Sequence, residues 1–163
     1  MSTPSTPAAL RALDVALHPR QTAYPEPFAA MVKGREKRRL GEVFGLSNFG
    51  VNLTRLKPGA VSSVRHHHSR QDEFIYVLEG TPTLRTDAGE TRLEPGMCAG
   101  FKAGSGNAHQ LRNDSAADVW YLEVGDRQSG DRAVYPDDDL AVEVANGVPV
   151  YRRKDGTPFG PAA

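Results

Sequence analysis

Short runs of alternating hydrophobic and polar residues fill the middle of the chain, and turn residues separate them. Alternation over four to eight residues is typical of a strand with one buried face. The runs cover residues 49–56, 65–68, 73–79, 81–86, 90–93, 98–101, 109–112 and 119–124. Strands of this length and even spacing predict an all-β sandwich or barrel. No long segment of helical periodicity lies between them, which argues against a parallel α/β fold.

The first 40 residues do not show this strand pattern. Prolines at positions 4, 7, 19, 25 and 27 interrupt any long helix or strand there. Two short helices are predicted here. One spans residues 7–17, with Thr6 as its cap and leucines 10, 13 and 17 on one face. The other spans residues 27–32 and ends at Gly34. Five basic residues then lie between positions 33 and 39. We interpret them as a solvated turn, with a phosphate-binding patch as the alternative.

The chain becomes polar again after residue 125, with edge strands predicted at 142–144 and 148–152. The pattern therefore predicts an N-terminal arm at 1–40, a barrel at 41–125 and a C-terminal arm at 126–163. Ordered arms of this kind often pack on the barrel or on a partner subunit.

Composition and charge narrow the function classes. The 163 residues fit one domain, and twenty basic residues balance twenty acidic ones, which argues against nucleic acid as a partner. The longest apolar run, residues 74–78, is far too short to cross a bilayer. The absence of a signal-like leader and the single Cys98 favour a cytoplasmic protein. Zero net charge and the two arms predict a homodimer.

The informative stretch is RHHHSRQDEFIYVLEG, residues 65–80. Alternate side chains of a strand share a face, so His66 and His68 point the same way and His67 points the other way. Glu73 begins the next strand five residues later, and His109 opens a much later one. Three imidazoles and one carboxylate suit iron, manganese, nickel, copper, cobalt or zinc. Asp72 is a rival ligand to Glu73, and His67 is interpreted as a surface or supporting residue.

These residues resemble the two motifs of the cupin superfamily over roughly residues 41–125. The residues that match the motifs are Gly59, His66, His68, Glu73, Gly80, Gly96, Gly106, His109 and Asn113. The gap from Gly59 to His66 is one residue longer than usual, and the second motif carries two extra residues before Gly106. Lys102 stands where proline is common. Segments 49–52, 99–104 and 122–125 also resemble a bacterial group of single-domain cupins.

The resemblance implies a double-stranded β-helix, a small jelly-roll barrel with its ligands pointing inward near one open mouth. His66, His68, Glu73 and His109 would then hold one divalent transition metal. Phe101 and Cys98 are expected to be buried. Asn113 is expected to stabilise a turn, with a hydrogen bond to a metal ligand or to the substrate as the alternative.

The implied function is that of a metal-dependent enzyme acting on a small organic molecule, of the dioxygenase, decarboxylase, isomerase or lyase class. Glu73 would be a plain ligand or a catalytic general base. The alternative is a non-catalytic module that binds a sugar or organic acid and keeps the metal for structure. The fold alone does not select among these reactions.

Overall fold

The computed structural model describes residues 6–145 and 148–159, and it confirms an all-β fold of the double-stranded β-helix type. The helices are a 3-10 turn at Ala12–Asp14, α1 at Phe28–Met31 and α2 at Leu40–Val43. The strands are β1 Arg35–Arg39, β2 Phe49–Leu56, β3 His67–His68, β4 Glu73–Glu79, β5 Thr83–Thr86, β6 Gly89–Arg92, β7 Cys98–Phe101, β8 Gln110–Arg112, β9 Val119–Asp126, β10 Arg132–Val134, β11 Ala141–Ala145 and β12 Val148–Arg152.

Three antiparallel sheets form the barrel. The largest has the strand order β1-β2-β9-β4-β7, the second has β12-β11-β10-β3, and the third has β6-β5-β8. Non-consecutive neighbours such as β2, β9 and β4 mean that strands distant in sequence lie side by side. This topology brings residues near 50, 73 and 125 together at one end of the largest sheet.

Strand parity decides which side chains form the core. On β4, Ile75 and Val77 are buried, while Phe74, Tyr76 and Leu78 point outward and are 42%, 39% and 44% exposed. The main core cluster joins the inward faces of the five-stranded and three-stranded sheets. It contains Leu56, Ala60, Ile75, Val77, Leu84, Leu93, Leu111, Val119 and Tyr121. A second apolar cluster lies beneath the four-stranded sheet, around Val64, Tyr135 and Leu140.

The strands predicted at 49–56, 73–79, 98–101 and 148–152 are confirmed at both ends, and most others differ by one or two residues. The helix predicted at 27–32 is confirmed as α1. The helix predicted at 7–17 is wrong, because only the 3-10 turn forms there. Leucines 10, 13 and 17 stay exposed, so none of the residues that the structure describes packs on this face to stabilise a longer helix. None of the helices in the described ranges combines the length and apolarity needed to cross a membrane.

The interpretation of residues 33–39 as a solvated turn is wrong. Residues 35–39 form β1, which pairs with β2 from Arg35 opposite Leu56 to Arg39 opposite Asn52. Arg35, Lys37 and Arg39 line the barrel interior. A strand whose inward face is this polar lacks the hydrophobic alternation that identifies strands in a sequence. Strand β1 lies before residue 41 and belongs to the five-stranded sheet, and β10 lies after residue 125 and belongs to the four-stranded sheet, so both arms add strands to the barrel. The division of the chain at residues 40 and 125 stays a prediction.

Candidate metal centre

Backbone pairing places the four predicted ligands at one end of the barrel. His66 and His109 face each other across an antiparallel bridge, with N–H···O distances of 3.2 and 2.8 Å. His68 belongs to β3, which pairs with β10, and Glu73 is the first residue of β4. Each imidazole is therefore mounted on extended backbone held by a neighbouring segment. Rigid mounting of this kind is what a metal site requires.

Glu73 lies at the centre of the three imidazoles. Its Oε2 atom is 2.9 Å from Nε2 of His109, and 3.6 Å from Nε2 of both His66 and His68. The ring centroids of His68 and His109 each lie 4.9 Å from that of His66. One potential ligand atom from each of His66, His68 and Glu73 lies within 4.8 Å of the others. These three residues therefore form a cluster that can hold a metal ion.

Hydrogen bonds fix the orientation of two imidazoles. Nδ1 of His66 lies 2.8 Å from the carbonyl oxygen of Val64, and Nδ1 of His68 lies 2.6 Å from Oδ2 of Asp131. A carbonyl oxygen can only accept, so Nδ1 of His66 carries the hydrogen. The carboxylate of Asp131 favours the same tautomer of His68. In both residues Nε2 is then left with a free lone pair on the side of Glu73, which is the form that binds a metal.

Asp131 is a candidate supporting residue of the site that the sequence analysis missed. Its buried carboxylate also accepts hydrogen bonds from the Ser69 hydroxyl and from the backbone N–H groups of Arg70 and Gln71. A carboxylate that orients a ligating histidine is the usual supporting partner of metal sites. No local pattern singles it out, because it lies 63 residues from His68 and only the pairing of β3 with β10 brings the two together.

Two buried polar atoms of the cluster have no aligned hydrogen-bond partner among the described residues. They are Oε2 of Glu73 and Nδ1 of His109. Such atoms are costly to bury, and a cation among the Nε2 atoms would satisfy the carboxylate. Phe101 stacks on His109 with ring centroids 3.5 Å apart and an angle of 5°, which fixes the plane of that imidazole. A divalent transition metal fits this cluster for three reasons. The ligands are imidazoles and a carboxylate, one carboxylate oxygen has no aligned hydrogen-bond partner among the described residues, and the imidazole rings are held in place.

Electrostatics favour the metal-binding protonation states. Burial raises the pKa of Glu73, but the contact with His109 and the neighbouring imidazoles lower it by more, to about 2. Burial lowers the pKa of His66 to about 4, against the attraction of Glu73. At neutral pH the carboxylate is ionised and His66 is neutral, so neither group has to lose a proton before it binds a metal.

The rival residues lie outside the cluster. His67 pairs with Val134 on β10, and it is not among the residues whose ligand atoms converge. Asp72 is exposed and its Oδ1 accepts a hydrogen bond of 2.7 Å from the backbone N–H of Ala103. The structure therefore favours Glu73 over Asp72.

Asn113 stabilises a turn, as predicted. Its buried amide donates to the carbonyl oxygens of Leu56 and Ala117 and accepts from Ser115. The expectation of a buried Cys98 is wrong, because Cys98 is exposed on β7. Strand parity explains the difference, since Ala99 and Phe101 turn inward and pack against the core.

A cavity of about 440 Å³ runs from the cluster into the barrel. Opposite the histidines it is lined by polar side chains of β1, β2 and β9. Nζ of Lys37 lies 2.5 Å from Oε1 of Glu123, and the Asn52 amide donates to the same oxygen at 2.8 Å. Tyr24 and Tyr151 also line the cavity, so segments before and after the barrel contribute to its wall. A pocket of this size is large enough for a small organic molecule.

Comparison with known proteins supports the same assignment. The model of the cupin domain family matches residues 52–125. A protein of Silicibacter pomeroyi DSS-3, described as a sugar phosphate isomerase from a cupin superfamily, is 42% identical. The match covers 93% of this chain and 96% of that one, with a TM-score of 0.87.

Two further structures are more distant. A protein of Acidithiobacillus ferrooxidans, proposed to be a sugar phosphate isomerase, is 28% identical over 78% of this chain and 81% of its own, with a TM-score of 0.70. The polyketide cyclase RemF of Streptomyces resistomycificus is 21% identical over 74% and 79%, with a TM-score of 0.61, and shares the fold. No curated protein matches the sequence. Its motifs, its barrel and its near full-length relative show that this chain belongs to the cupin superfamily.

Proposed function

We propose that this protein is a metal-dependent isomerase that interconverts the aldose and ketose forms of a small phosphorylated sugar. The observation that carries the proposal is the His66, His68 and Glu73 cluster facing a cavity of about 440 Å³. The near full-length relative described as a sugar phosphate isomerase supports the choice of this reaction among those that cupin barrels host. It refines the broader expectation of a metal-dependent enzyme acting on a small molecule.

We propose that His109 completes the ligand set. Its Nε2 atom makes the shortest contact with Glu73, and the stacked ring of Phe101 keeps the imidazole aimed at that carboxylate. Three neutral imidazoles and one carboxylate leave a divalent metal with net positive charge. When bound, such a metal supplies positive charge next to the substrate's carbonyl oxygen.

Glu73 is proposed to move the proton. In an aldose–ketose isomerisation, a proton leaves the hydroxyl-bearing carbon beside the carbonyl and returns to the former carbonyl carbon. The hydroxyl proton passes to the former carbonyl oxygen through the enediol. Oxidation of one carbon balances reduction of the other, so no co-reactant is needed. The carboxylate of Glu73 is ionised at neutral pH and can therefore accept this proton and return it to the neighbouring carbon.

The test is turnover of phosphorylated aldoses and ketoses by metal-loaded protein, followed by proton NMR in heavy water. We expect interconversion together with deuterium incorporation at the carbon that exchanges its proton. Both signals should be lost in His68→Ala and Glu73→Gln, while the matched control Asp72→Asn keeps them, because Asp72 is exposed and outside the cluster. Saturable binding without turnover or exchange would contradict the isomerase and favour a binding module.

We also propose that the protein forms a homodimer through the outer face of the five-stranded sheet. Phe74, Tyr76 and Leu78 form an exposed apolar row on this face, where a solvated sheet would carry polar residues. The neutral chain opposes self-association only weakly. Light scattering should give a dimer mass that Tyr76→Glu reduces to the monomer mass. A wild-type monomer at micromolar concentration would contradict this.

A further inference from the structure

Two arginines at the cavity share one carboxylate. Nη1 of Arg39 lies 3.0 Å from Oε1 of Glu42, and Nη2 of Arg127 lies 3.7 Å from the same oxygen. All three residues line the cavity, and their side chains are about 40% exposed. One anionic oxygen thus sits between two guanidinium groups that come from different parts of the chain.

Two glycines separate these arginines from the metal centre. Gly50 on β2 lies opposite Gly125 on β9, and Gly125 lies opposite Glu73 on β4. A Cβ atom at Gly125 would lie 3.7 Å from Cγ of Glu73, and one at Gly50 would lie 3.5 Å from the guanidinium of Arg127. Both are ordinary contacts, and neither glycine has a positive φ, so the backbone requires glycine at neither position.

Glycine inside a strand costs stability, so a matched pair facing a cavity calls for another reason. Without side chains, this row of the sheet forms an open floor from Glu73 to the guanidinium of Arg127. Neighbouring strands lie about 4.8 Å apart, so the floor is about 10 Å from β4 to β2. That span suits an extended five- or six-carbon sugar with a phosphate at its far end.

The cavity also holds positive charge that is not fully paired. Arg35 is 8% exposed and lines the same cavity. Its Nη1 and Nη2 atoms donate to the carbonyl oxygens of Ser62 and Gln21, while Nε has no hydrogen-bond partner among the residues described. This buried cation adds positive charge to the wall that β1 contributes to the cavity.

We infer that Arg39 and Arg127 bind the phosphate of the sugar substrate, and that Glu42 occupies the place of that phosphate in the free protein. This inference rests on the proposed isomerase and names the part of the chain that selects phosphorylated sugars. Guanidinium groups bind phosphate oxygens through paired, charge-assisted hydrogen bonds. The ion pairs of Glu42 are partly exposed and therefore weak, so a phosphate dianion displaces the carboxylate at little cost. The glycine floor then directs the sugar to Glu73 and the histidines.

Calorimetric titration of the metal-loaded protein with ribose 5-phosphate, and with ribose as its uncharged counterpart, tests the assignment. Arg39→Gln and Arg127→Gln should each weaken binding of ribose 5-phosphate roughly 10- to 100-fold, the range expected for hydrogen bonds to a charged group. Binding of ribose should not change. Glu42→Gln should tighten binding of ribose 5-phosphate, because it removes the competing anion.

Arg38→Gln is the matched control, since Arg38 belongs to the same strand but does not line the cavity. Unchanged metal content and thermal unfolding would show that each variant is folded.

Wild-type affinity for ribose 5-phosphate in both arginine variants would overturn the phosphate site, whether or not the protein turns over sugars. Equal weakening by Glu42→Gln would also overturn it, because the three residues would then act only as a structural ion-pair cluster. Loss of phosphate-dependent binding in the arginine variants, with no turnover by wild type, would support the phosphate site and contradict the isomerase.

Discussion

The two ends of the barrel interior differ sharply in polarity, although the same strands line both. On β4, the inward row runs from Glu73 at the open end to Val77 at the closed end, where it is fully buried. On β9, the row runs from Glu123 at the cavity to Val119 in the core. Parity therefore decides which side chains face inward, and position along the strand decides whether they meet a core or a cavity. Burial of apolar side chains at the closed end stabilises the fold and offsets the cost of placing polar side chains at the open end.

The largest expected change in stability comes from Leu56→Ala at the closed end. Leu56 is fully buried in the main cluster, so its truncation leaves a cavity and should lower the free energy of unfolding by about 3 kcal/mol. Metal content should stay at the wild-type level, because Leu56 belongs to the closed end. Urea denaturation and elemental analysis measure the two properties. Loss of metal in a folded Leu56→Ala protein would contradict the separation of the two ends.

The polar end should respond to Glu123→Gln, which leaves the Lys37 ammonium without its counter-charge. We expect a loss of roughly 2–3 kcal/mol in the free energy of unfolding at pH 7. Burial raises the pKa of Glu123, but Lys37 and Asn52 lower it by more, so the folded pKa lies below the unfolded value. The carboxylate therefore stabilises the fold above its unfolded pKa, and the wild type loses this contribution as pH falls through the folded pKa.

The difference in stability between wild type and Glu123→Gln should consequently shrink as the pH falls from 7 towards 3. Urea denaturation at a series of pH values measures it. The double variant Lys37→Met with Glu123→Gln is the control, and it should recover most of the loss at pH 7 because no unpaired charge remains. A difference that is the same at every pH would show that Glu123 does not stabilise the fold through its charge.

A smaller effect is expected from Asp131→Asn, which acts on the metal centre through His68. The amide cannot favour the same His68 tautomer as well as a carboxylate does, so metal affinity should fall roughly 10- to 100-fold. Competition with a chelating indicator measures the affinity. Asp114→Asn is the control, because that exposed carboxylate forms an ion pair with Arg112 and is not part of the cluster. Wild-type affinity in Asp131→Asn would rule out a supporting role for this residue.

The sequence predicted the elements that follow local rules. Residues 73–79 alternate cleanly and end at Gly80, and the structure has β4 with those bounds. Parity also placed His66 and His68 on one face, as the cluster confirms. His109 lies more than 40 residues away, so only its place in the second motif connects it with them. The structure then shows the pairing of His66 with His109 that brings the two segments together.

The sequence analysis did not predict the features that depend on residues far away in the sequence. Strand β1 carries charge on its inward face because it lines a polar cavity, so hydrophobic alternation could not reveal it. Asp131 looks like an ordinary polar residue until β10 pairs with β3. The exposure of Cys98, by contrast, could have been predicted from strand parity. Ala99 and Phe101 face the core, and Cys98 lies on the opposite face of the same strand from Ala99.

The most direct test of the central claim is elemental analysis of untagged protein purified without a nickel column, with His68→Ala analysed beside the wild type. A site formed by His66, His68, Glu73 and His109 predicts close to one equivalent of a divalent transition metal in the wild type. The variant should hold little, because one of the clustered ligand atoms is gone. Absence of metal from both folded proteins, even after incubation with each ion, would contradict the account. So would equal metal content in the two.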